Sequence, residues 1–336
     1  MPAATLPLRV LLAVLLTGRL HRRVVAVADL HGDLAHAHNV LRMAGLIDAQ
    51  AHWRGGSAVL ASTGDIVDRG DDTIALYRMF DRLRSEAQAV GGEVHNCVGN
   101  HEMMNALHDW RFVTPGDLAS FGGAQARRRA MSEKGWIGQT WLANYSITNT
   151  VPLLPPEQVA RAKLPESYQV PHANFVHGGI TPAWAARGTA HINAVGRSLL
   201  LKAYKNEDGT YLPPGTTPEE RSLYSEDGPL WYRGYATDSE RLVCRHAEEA
   251  ARLLGAKHLV MGHTPHFSGF VVRCDASVLL IDTGISRAYG GEQSALIIDT
   301  ELQHLGKGRW REKEVLQALY KGRLPRIIAE TERVIE

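Results

Sequence analysis

The chain has 336 residues, which is enough for one large α/β domain or two smaller ones. Hydrophobic residues make up 44% and charged residues 22%, an ordinary globular composition that argues against disorder across the body of the chain. The formal net charge is +1, which excludes a general electrostatic field for nucleic acid or for an anionic membrane surface.

The N-terminus contains a short apolar run at residues 10–16, preceded by Arg9. The run resembles the apolar part of a targeting peptide, but no clear cleavage motif follows it. We predict that residues 1–21 are an N-terminal extension, and a targeting segment for an organelle or for secretion remains the alternative. No run reaches the roughly 18 apolar residues that a membrane span requires.

The first hundred residues predict alternating strands and helices. Continuous apolar runs indicate buried strands at residues 24–28 and 58–62, and residues 94–98 predict a third strand. Amphipathic periodicity indicates helices at residues 34–44 and 73–89 between them. This alternation predicts βαβ crossovers, in which functional groups collect beyond the C-terminal ends of the strands.

The remainder of the chain is predicted to carry two insertions. Residues 103–173 predict a mostly helical insertion, and residues 182–229 predict an irregular one with a loop at 206–209. Closely spaced later strands predict a mostly antiparallel second half: 174–176, 259–261, 270–273, 278–281 and 295–298. We expect a C-terminal helical tail at residues 301–336.

The three cysteines, Cys97, Cys244 and Cys274, are odd in number, and their spacing fits neither a zinc site nor a disulfide framework. They predict three reduced thiols in a reducing compartment, which favours a cytoplasmic location. None begins a Cys-x5-Arg loop, because the sixth residue after each cysteine is not arginine. A cysteine nucleophile of that kind is therefore excluded.

Five short motifs follow predicted strands and contain residue types that bind metals. They are Asp29-Leu30-His31-Gly32-Asp33, Gly64-Asp65-Ile66-Val67-Asp68-Arg69-Gly70, Gly99-Asn100-His101-Glu102, His177-Gly178-Gly179 and Gly262-His263-Thr264-Pro265. Each motif taken singly also fits a solvated loop. Five of them in order, each in a turn after an apolar strand, indicate a metal centre.

The motifs supply ligands for two divalent ions about 3.5–4 Å apart, which need a bridging carboxylate. Six side chains are the predicted ligands: Asp29, His31, Asp65, Asn100, His177 and His263. Asp65 is the predicted bridge because its strand is expected beside the first strand. The two ligands before it complete one ion and the three after it complete the other. Oxygen and imidazole donors without thiolate favour manganese, iron or zinc over calcium or magnesium alone.

The motifs resemble those of the calcineurin-like metallophosphoesterases, in the arrangement of the phosphoprotein phosphatase family, and more narrowly those of the Shewanella-like protein phosphatases. The resemblance covers about residues 22–300. It is carried by DLHGDL at 29–34, GGEVH at 91–95, GNHEMMN at 99–105, DWRFVT at 109–114, FVHGGI at 175–180 and GPLWYR at 228–233.

The resemblance implies an α/β protein with the calcineurin-like metallophosphoesterase fold, a central β-sandwich flanked by helices with the site at the strand ends. It implies that residues 22–300 form a catalytic domain with phosphatase activity on serine/threonine or tyrosine phosphomonoesters. The sequence departs from the family pattern at one position and in one segment. Ala28 replaces a glycine, and SRAYG at 286–290 replaces the SAPNYC of the wider family. The substrate and inhibitor behaviour of the wider family is therefore not carried over.

Phosphoryl transfer requires cations beside the metals, since charge develops on three equatorial oxygens. Arg69 lies in the same turn as Asp65 and is predicted to bind the substrate phosphate together with Asn100. Arg233 is the second predicted phosphate-binding cation, and only the resemblance places it near the site.

His101 adjoins the ligand Asn100, and adjacent side chains diverge. We predict that His101 is the general acid that protonates the leaving group, with Asp68 as its partner. Glu102 either supports the ligands or lies on the surface. The predicted reaction is direct attack on phosphorus by a hydroxide that bridges the two ions, without a phosphorylated residue.

Two other functions compete with a phosphoprotein phosphatase, whose partner would be a phosphorylated protein or peptide. A hydrolase of diadenosine tetraphosphate or other nucleotides would use the same metals, but the DWR and WYR stretches favour the phosphatase. An inactive binding scaffold is opposed by the intact ligand set and His101. The Arg127-Arg128-Arg129 run predicts a solvated helix face or, alternatively, a site for acidic residues around a phosphosite.

Overall fold

The computed structural model describes residues 18–206 and 211–336, which form twelve strands and twelve helices. The strands are β1 (Arg19–Val27), β2 (Val59–Ser62), β3 (Glu93–Cys97), β4 (Tyr145–Ser146), β5 (Thr148–Pro152), β6 (His172–Val176), β7 (His258–Met261), β8 (Val271–Arg273), β9 (Val278–Leu280), β10 (Ser294–Gly306), β11 (Arg309–Tyr320) and β12 (Arg326–Ile335). The helices are α1 (Leu34–Met43), α2 (Thr73–Ala89), α3 (Asn100–Ala106), α4 (Pro115–Ser120), α5 (Ala124–Met131), α6 (Trp136–Asn144), α7 (Pro156–Val159), α8 (Pro182–Ala185), α9 (Thr189–Ala203), α10 (Pro218–Leu223), α11 (Gly234–Thr237) and α12 (Glu240–Leu254).

The strands form two sheets. One has seven strands in the order β12-β11-β10-β1-β2-β3-β4, and the other has five in the order β5-β6-β7-β9-β8. β1, β2 and β3 are parallel neighbours, which confirms the predicted crossovers. The centre of the second sheet is also parallel, since β7 lies parallel to both β6 and β9. The prediction of a mostly antiparallel second half is therefore wrong for that centre, and among the predicted strands the antiparallel pairs are β8 with β9 and β10 with β1.

Alternate residues of β1 belong to two different hydrophobic cores. Val24 and Ala26 pack with Phe175 and Val260 of the second sheet, so this core lies between the sheets. Residues on the opposite face of β1, including Val25, join a larger core that contains the buried faces of the helices. The architecture is thus the predicted sandwich flanked by helices, and it places the ends of β1, β2, β3, β6 and β7 around one region.

The C-terminal segment forms strands, so the predicted helical tail at residues 301–336 is wrong. β10, β11 and β12 pair antiparallel at one end of the larger sheet. Burial alternates along β11, but two of its buried residues are Glu312 and Glu314. Glu312 contacts Tyr168 and Arg333, and Glu314 pairs through Oε1 with Lys257 and His258. Charged residues at buried positions concealed the two-residue period that indicates a strand.

The second insertion is more ordered than predicted. Residues 189–203 form the 15-residue helix α9, whose buried side chains Ile192, Val195 and Leu199 lie on one face. An irregular segment was expected there, and that expectation is wrong. The first insertion is mostly helical, as predicted, but it also contains the short strands β4 and β5. Residues 207–209 of the predicted loop lie outside the described residues.

Cys244 of α12 and Cys274, directly after β8, form a disulfide across 30 residues of sequence. The prediction of three reduced thiols is therefore wrong, because the packing of α12 beside β8 joins two cysteines whose spacing indicates no pairing. Disulfides persist mainly in oxidising compartments, so the cysteines no longer support a cytoplasmic location. That location stays a prediction. Among the described residues, none of the helices combines the length and apolar character needed to cross a lipid bilayer.

Candidate metal centre

The six predicted ligands converge at the C-terminal ends of five strands and are all buried. Asp29 and His31 follow β1, Asp65 follows β2, and Asn100 follows β3 as the first residue of α3. The remaining two, His177 and His263, follow β6 and β7 of the other sheet. Both sheets therefore contribute ligands to one site, as the resemblance implied.

Asp65 lies at the centre of the site. Its Oδ2 is 3.3 Å from His177 Nε2 and 3.7 Å from His31 Nε2. Asp65 belongs to two groups of potential ligand atoms, and within each group the atoms lie within 4.8 Å of one another. One group adds His31 and His101, and the other adds His177 and His263. A carboxylate shared by two such groups has the placement that a bridging ligand requires.

Asn100 and Asp29 extend these groups. The Oδ1 of Asn100 is 2.7 Å from His177 Nε2. The carboxylate of Asp29 accepts a hydrogen bond from the backbone N–H of His263, at 3.1 Å to Oδ2. These contacts place Asn100 with the second group and Asp29 against the loop that carries His263.

The charges of the site fit bound cations. Burial, followed by the neighbouring carboxylates of Asp282 and Asp65, raises the pKa of Asp29 well above its usual range. Burial lowers the pKa of His31 to about 4 and that of His263 to about 2, so both imidazoles are neutral at pH 7. Neutral imidazoles beside crowded, buried carboxylates form a donor set suited to divalent cations.

Backbone carbonyls orient two of the histidines. His31 Nδ1 lies 3.0 Å from the carbonyl of Val67, and His177 Nδ1 lies 3.0 Å from that of Thr63. An Nδ1–H that donates to a carbonyl leaves Nε2 free to bind a metal. His263 differs, because its Nε2 lies 3.2 Å from the carbonyl of Trp231.

The ligand loops adopt strained backbone conformations. Five non-glycine residues of these loops have φ between 42° and 71°: His31, Asp65, Asp68, Arg69 and His263. Such left-handed conformations cost of order 1–3 kcal/mol each and concentrate at functional sites. Gly32 and Gly70 bring two of the loops together, since a Cβ at Gly32 would lie 2.6 Å from the Gly70 backbone. The glycines of the first two motifs are thus required by backbone contact.

Glu102 is buried under the ligand loops and bonds to their backbone. It therefore supports the ligands and does not lie on the surface, the two alternatives that the sequence left open. It is fully buried, and its carboxylate accepts hydrogen bonds from the backbone N–H groups of Asp65, Ile66 and Gly99 at 2.7–2.9 Å. Tyr77 donates a further hydrogen bond to it at 3.0 Å. The carboxylate therefore joins the loops after β2 and β3.

We expect Glu102→Gln to weaken metal binding about 10–100-fold, the usual effect of removing a group that orients metal ligands. The glutamine amide places N–H donors against backbone N–H donors, so at least one buried hydrogen bond is lost. Calorimetric titration with Mn²⁺ measures the change. Glu226→Gln, at an exposed position, is the control and should bind Mn²⁺ as the wild type does. Equal affinities for Glu102→Gln and the wild type would contradict the supporting role.

His101 pairs with Asp68, as predicted. Its Nδ1 lies 2.7 Å from Asp68 Oδ2, and both residues are buried. Burial lowers the pKa of His101, but the carboxylates of Asp65 and Asp68 outweigh it, so the pKa is raised overall. The Nε2 of His101 is also 3.8 Å from Asp65 Oδ2. This distance is compatible with both a proton donor and a further metal ligand.

A cleft of about 300 Å³ opens above the ligands and contains both predicted arginines. Arg233 Nη1 donates to the carbonyl of His263 at 2.9 Å, so the segment carrying it lies at the site as the resemblance implied. The guanidinium of Arg69 lies over the rings of Phe112 and Tyr289. Among the described residues, the buried Nε of Arg69 has no hydrogen-bond partner, and the residue lines the cleft. Aromatic side chains form much of the cleft wall: Phe112, Tyr211, Tyr224, Trp231 and Tyr289.

The segment that departs from the wider family is tied to the first motif. Arg287 forms two side-chain hydrogen bonds to Asp33, at 2.8 and 2.9 Å. Ser286 Oγ lies 3.3 Å from the carbonyl of His31, to which it donates. These contacts hold the neighbouring Tyr289 in the cleft wall.

Comparison with known proteins gives the family. The sequence model for calcineurin-like phosphoesterases matches residues 22–267, well over half of the chain. The chain belongs to the calcineurin-like phosphoesterase family. This confirms the predicted family, fold and enzyme class, a phosphoester hydrolase, while the roles of individual site residues stay predictions.

Relatives of this phosphoesterase are found in several organisms. It is 36% identical over 315 residues to an uncharacterized protein of Schizosaccharomyces pombe, covering 90% of this chain and 82% of the relative. It is 26% identical to Shewanella-like protein phosphatase 2 of Arabidopsis thaliana, covering 79% and 72%. The crystal structure of a cold-active protein-tyrosine phosphatase of a psychrophilic Shewanella species has a TM-score of 0.65 at 23% identity, covering 91% and 80%. That likeness supports the fold.

Sequence reasoning missed one carboxylate in this phosphoesterase. Asp282 is buried and lies two residues beyond β9, a position like that of Asp29 after β1. Burial raises its pKa to about 6, and its charge acts on Asp29. Its place after an apolar strand was a signal that could have identified it.

Proposed function

We propose that this phosphoesterase is a phosphoprotein phosphatase that hydrolyses phosphomonoesters with two divalent metal ions, manganese, iron or zinc. The observation that carries the proposal is the placement of Asp65, which belongs to both groups of ligand atoms beneath a cleft containing Arg69, Arg233 and His101. Two relatives, at 26% and 25% identity, are named Shewanella-like protein phosphatases, which supports a phosphoprotein as the substrate.

Under this proposal, Asp29, His31 and Asp65 would hold one ion, and Asp65 would hold the second together with Asn100, His177 and His263. Bound divalent ions supply a water-derived nucleophile and positive charge against the phosphate oxygens. The chain itself contributes cations, a proton donor and the cleft above the predicted ligands.

Arg69 and Arg233 flank the ligands and bind the phosphate oxygens that carry charge in the transition state, and Asn100 adds an amide donor. His101 donates a proton from Nε2 to the leaving oxygen, while Asp68 holds Nδ1. No side chain of the protein becomes phosphorylated. The configuration at phosphorus is therefore expected to invert.

The metal dependence is tested with nitrophenyl phosphate after treatment with a chelator. Activity should fall to background and return with Mn²⁺. Alkylation of thiols should leave it unchanged, because burial raises the pKa of the Cys97 thiol to about 12 and the other cysteines form a disulfide. Full activity in the demetallated protein would overturn the two-metal proposal.

Phosphotyrosine peptides should be hydrolysed at least as fast as matched phosphothreonine peptides. Tyr289, Phe112 and Trp231 form aromatic surfaces in the cleft, and such surfaces pack favourably against a phenyl ring. The measurement is kcat/KM for several matched peptide pairs, with diadenosine tetraphosphate assayed alongside. A strong preference for phosphothreonine would contradict this prediction, and preference for the dinucleotide would replace the phosphoprotein substrate. Absence of turnover in the metal-loaded protein would favour the inactive scaffold.

A further inference from the structure

Arg127 does not lie on a solvated helix face, so the prediction for the Arg127-Arg128-Arg129 run is wrong for its first member. Arg128 and Arg129 are exposed, whereas the side chain of Arg127 is fully buried. Arginine is almost never fully buried unless it is paired. The partners of Arg127 therefore indicate what the residue does.

The guanidinium of Arg127 is hydrogen-bonded on several sides. Nε donates to Asp117 Oδ2 at 2.7 Å, and Nη1 donates to Asn105 Oδ1 at 2.6 Å. Nη2 lies 3.4 Å from Asp68 Oδ1. The ring of Trp110 covers the group, with its centroid 5.1 Å from Cζ. Arg127 thus connects the helical insertion to the carboxylate that pairs with His101.

The two oxygens of Asp68 face different partners. Oδ2 lies 2.7 Å from His101 Nδ1, on the side of the cleft. Oδ1 accepts from Asn105 Nδ2 at 2.9 Å and faces Arg127. The rotation of this carboxylate, and with it the plane of the His101 ring, is therefore set from behind by Arg127 and Asn105.

We propose that Arg127 is a positioning residue for the His101–Asp68 pair. It does not line the cleft and cannot touch the substrate, so it acts through Asp68. This inference rests on the proposed function of His101 as the proton donor. If Arg127 only anchored α5, its pairing with Asp117 would suffice, and its loss would slow all substrates equally.

The test compares Arg127→Lys with Arg127→Met. Arg129→Met is the control, because Arg129 belongs to the same arginine run and the same helix but is exposed. Lysine keeps the buried charge but cannot bond Asp117, Asn105 and Asp68 at once. The lysine variant therefore keeps the test valid if the methionine variant does not fold. Turnover is measured with an alkyl phosphate and with nitrophenyl phosphate, each at saturating Mn²⁺.

Arg127→Lys should lower kcat about 10–100-fold for the alkyl phosphate and clearly less for nitrophenyl phosphate, whose leaving group needs little protonation. KM should remain near the wild-type value, because Arg127 makes no contact with the cleft. In a His101→Asn background the same change should cost little more, since residues that act through one another are not additive. Arg129→Met should resemble the wild type throughout.

A second readout does not require turnover. The ring ¹⁵N resonances of His101, assigned by their loss in His101→Asn, should shift in Arg127→Lys and stay unchanged in Arg129→Met. Equal slowing of both substrates, full additivity with His101→Asn, or unshifted His101 resonances would overturn the inference. An inactive wild-type enzyme would instead refute the proposed function, and the resonances would still decide whether Arg127 positions His101.

Discussion

Asp65→Asn should lower turnover more than about 100-fold and should reduce the metal content toward one ion or none per chain. Loss of a group that only orients a metal ligand lowers activity by up to about 100-fold. Loss of a ligand shared by two ions should lower it further. Asp65 Oδ2 lies near His31 and His177, on either side of the site. An amide in its place is neutral and a poorer bridge, so both ions are affected at once.

The measurement is metal content by elemental analysis together with kcat for nitrophenyl phosphate. Asp275→Asn makes the same chemical change at an exposed position and should retain two ions and normal turnover. Thermal unfolding without metal checks that Asp65→Asn is folded. If Asp65→Asn kept two ions and near-normal turnover, Asp65 would not be the bridge.

His101→Asn should slow hydrolysis of an alkyl phosphate by about 10²–10⁴-fold, the range that general acid catalysis typically contributes. The loss should be clearly smaller for nitrophenyl phosphate, because nitrophenolate leaves without much protonation. Asp68→Asn should give a milder form of the same pattern. It weakens the hydrogen bond that holds His101 Nδ1, at 2.7 Å, without removing the imidazole.

Metal content separates the two roles that the geometry allows for His101. One of its ring nitrogens lies within 4.8 Å of potential ligand atoms of His31 and Asp65, so a ligand role predicts loss of an ion in His101→Asn. A proton-donor role predicts two retained ions and a rate that depends on the leaving group. Equal slowing of both substrates would contradict the acid assignment. The exposed His191, replaced by Asn, provides a matched control that should change neither quantity.

The sequence predicted which side chains meet at the strand ends because local features of the chain indicate them, while their role as metal ligands stays a prediction. Each predicted ligand follows a strand, and five of the six, all except Asp29, adjoin a glycine. The helix at residues 73–89 was predicted with the bounds that it has in the structure, since its apolar period is uninterrupted. Asp68 was paired with His101 because a carboxylate partner would raise the pKa of the imidazolium and fix its orientation.

Partners that are distant in sequence explain the burial of charged residues that local patterns did not predict. Arg127 lies within an arginine run typical of a solvated face, and its burial depends on Asp117, Asn105 and Asp68 packing around it. The C-terminal strands were missed for the same reason. Glu312 and Glu314 are buried in β11 because they pair with Arg333 and His258, which are distant in sequence.

By itself, the sequence of this phosphoesterase determined the order of the first strands and helices and the family, and it predicted the ligand set, whose metal binding stays a prediction. Apolar periodicity and ligand-bearing turns are local properties, so they can be read along the chain. Only the tertiary structure decided the Cys244–Cys274 disulfide, the support of two ligand loops by Glu102 and the contact between Arg127 and Asp68. Each of these depends on a buried polar or covalent partner whose distance in space bears no fixed relation to its distance in sequence.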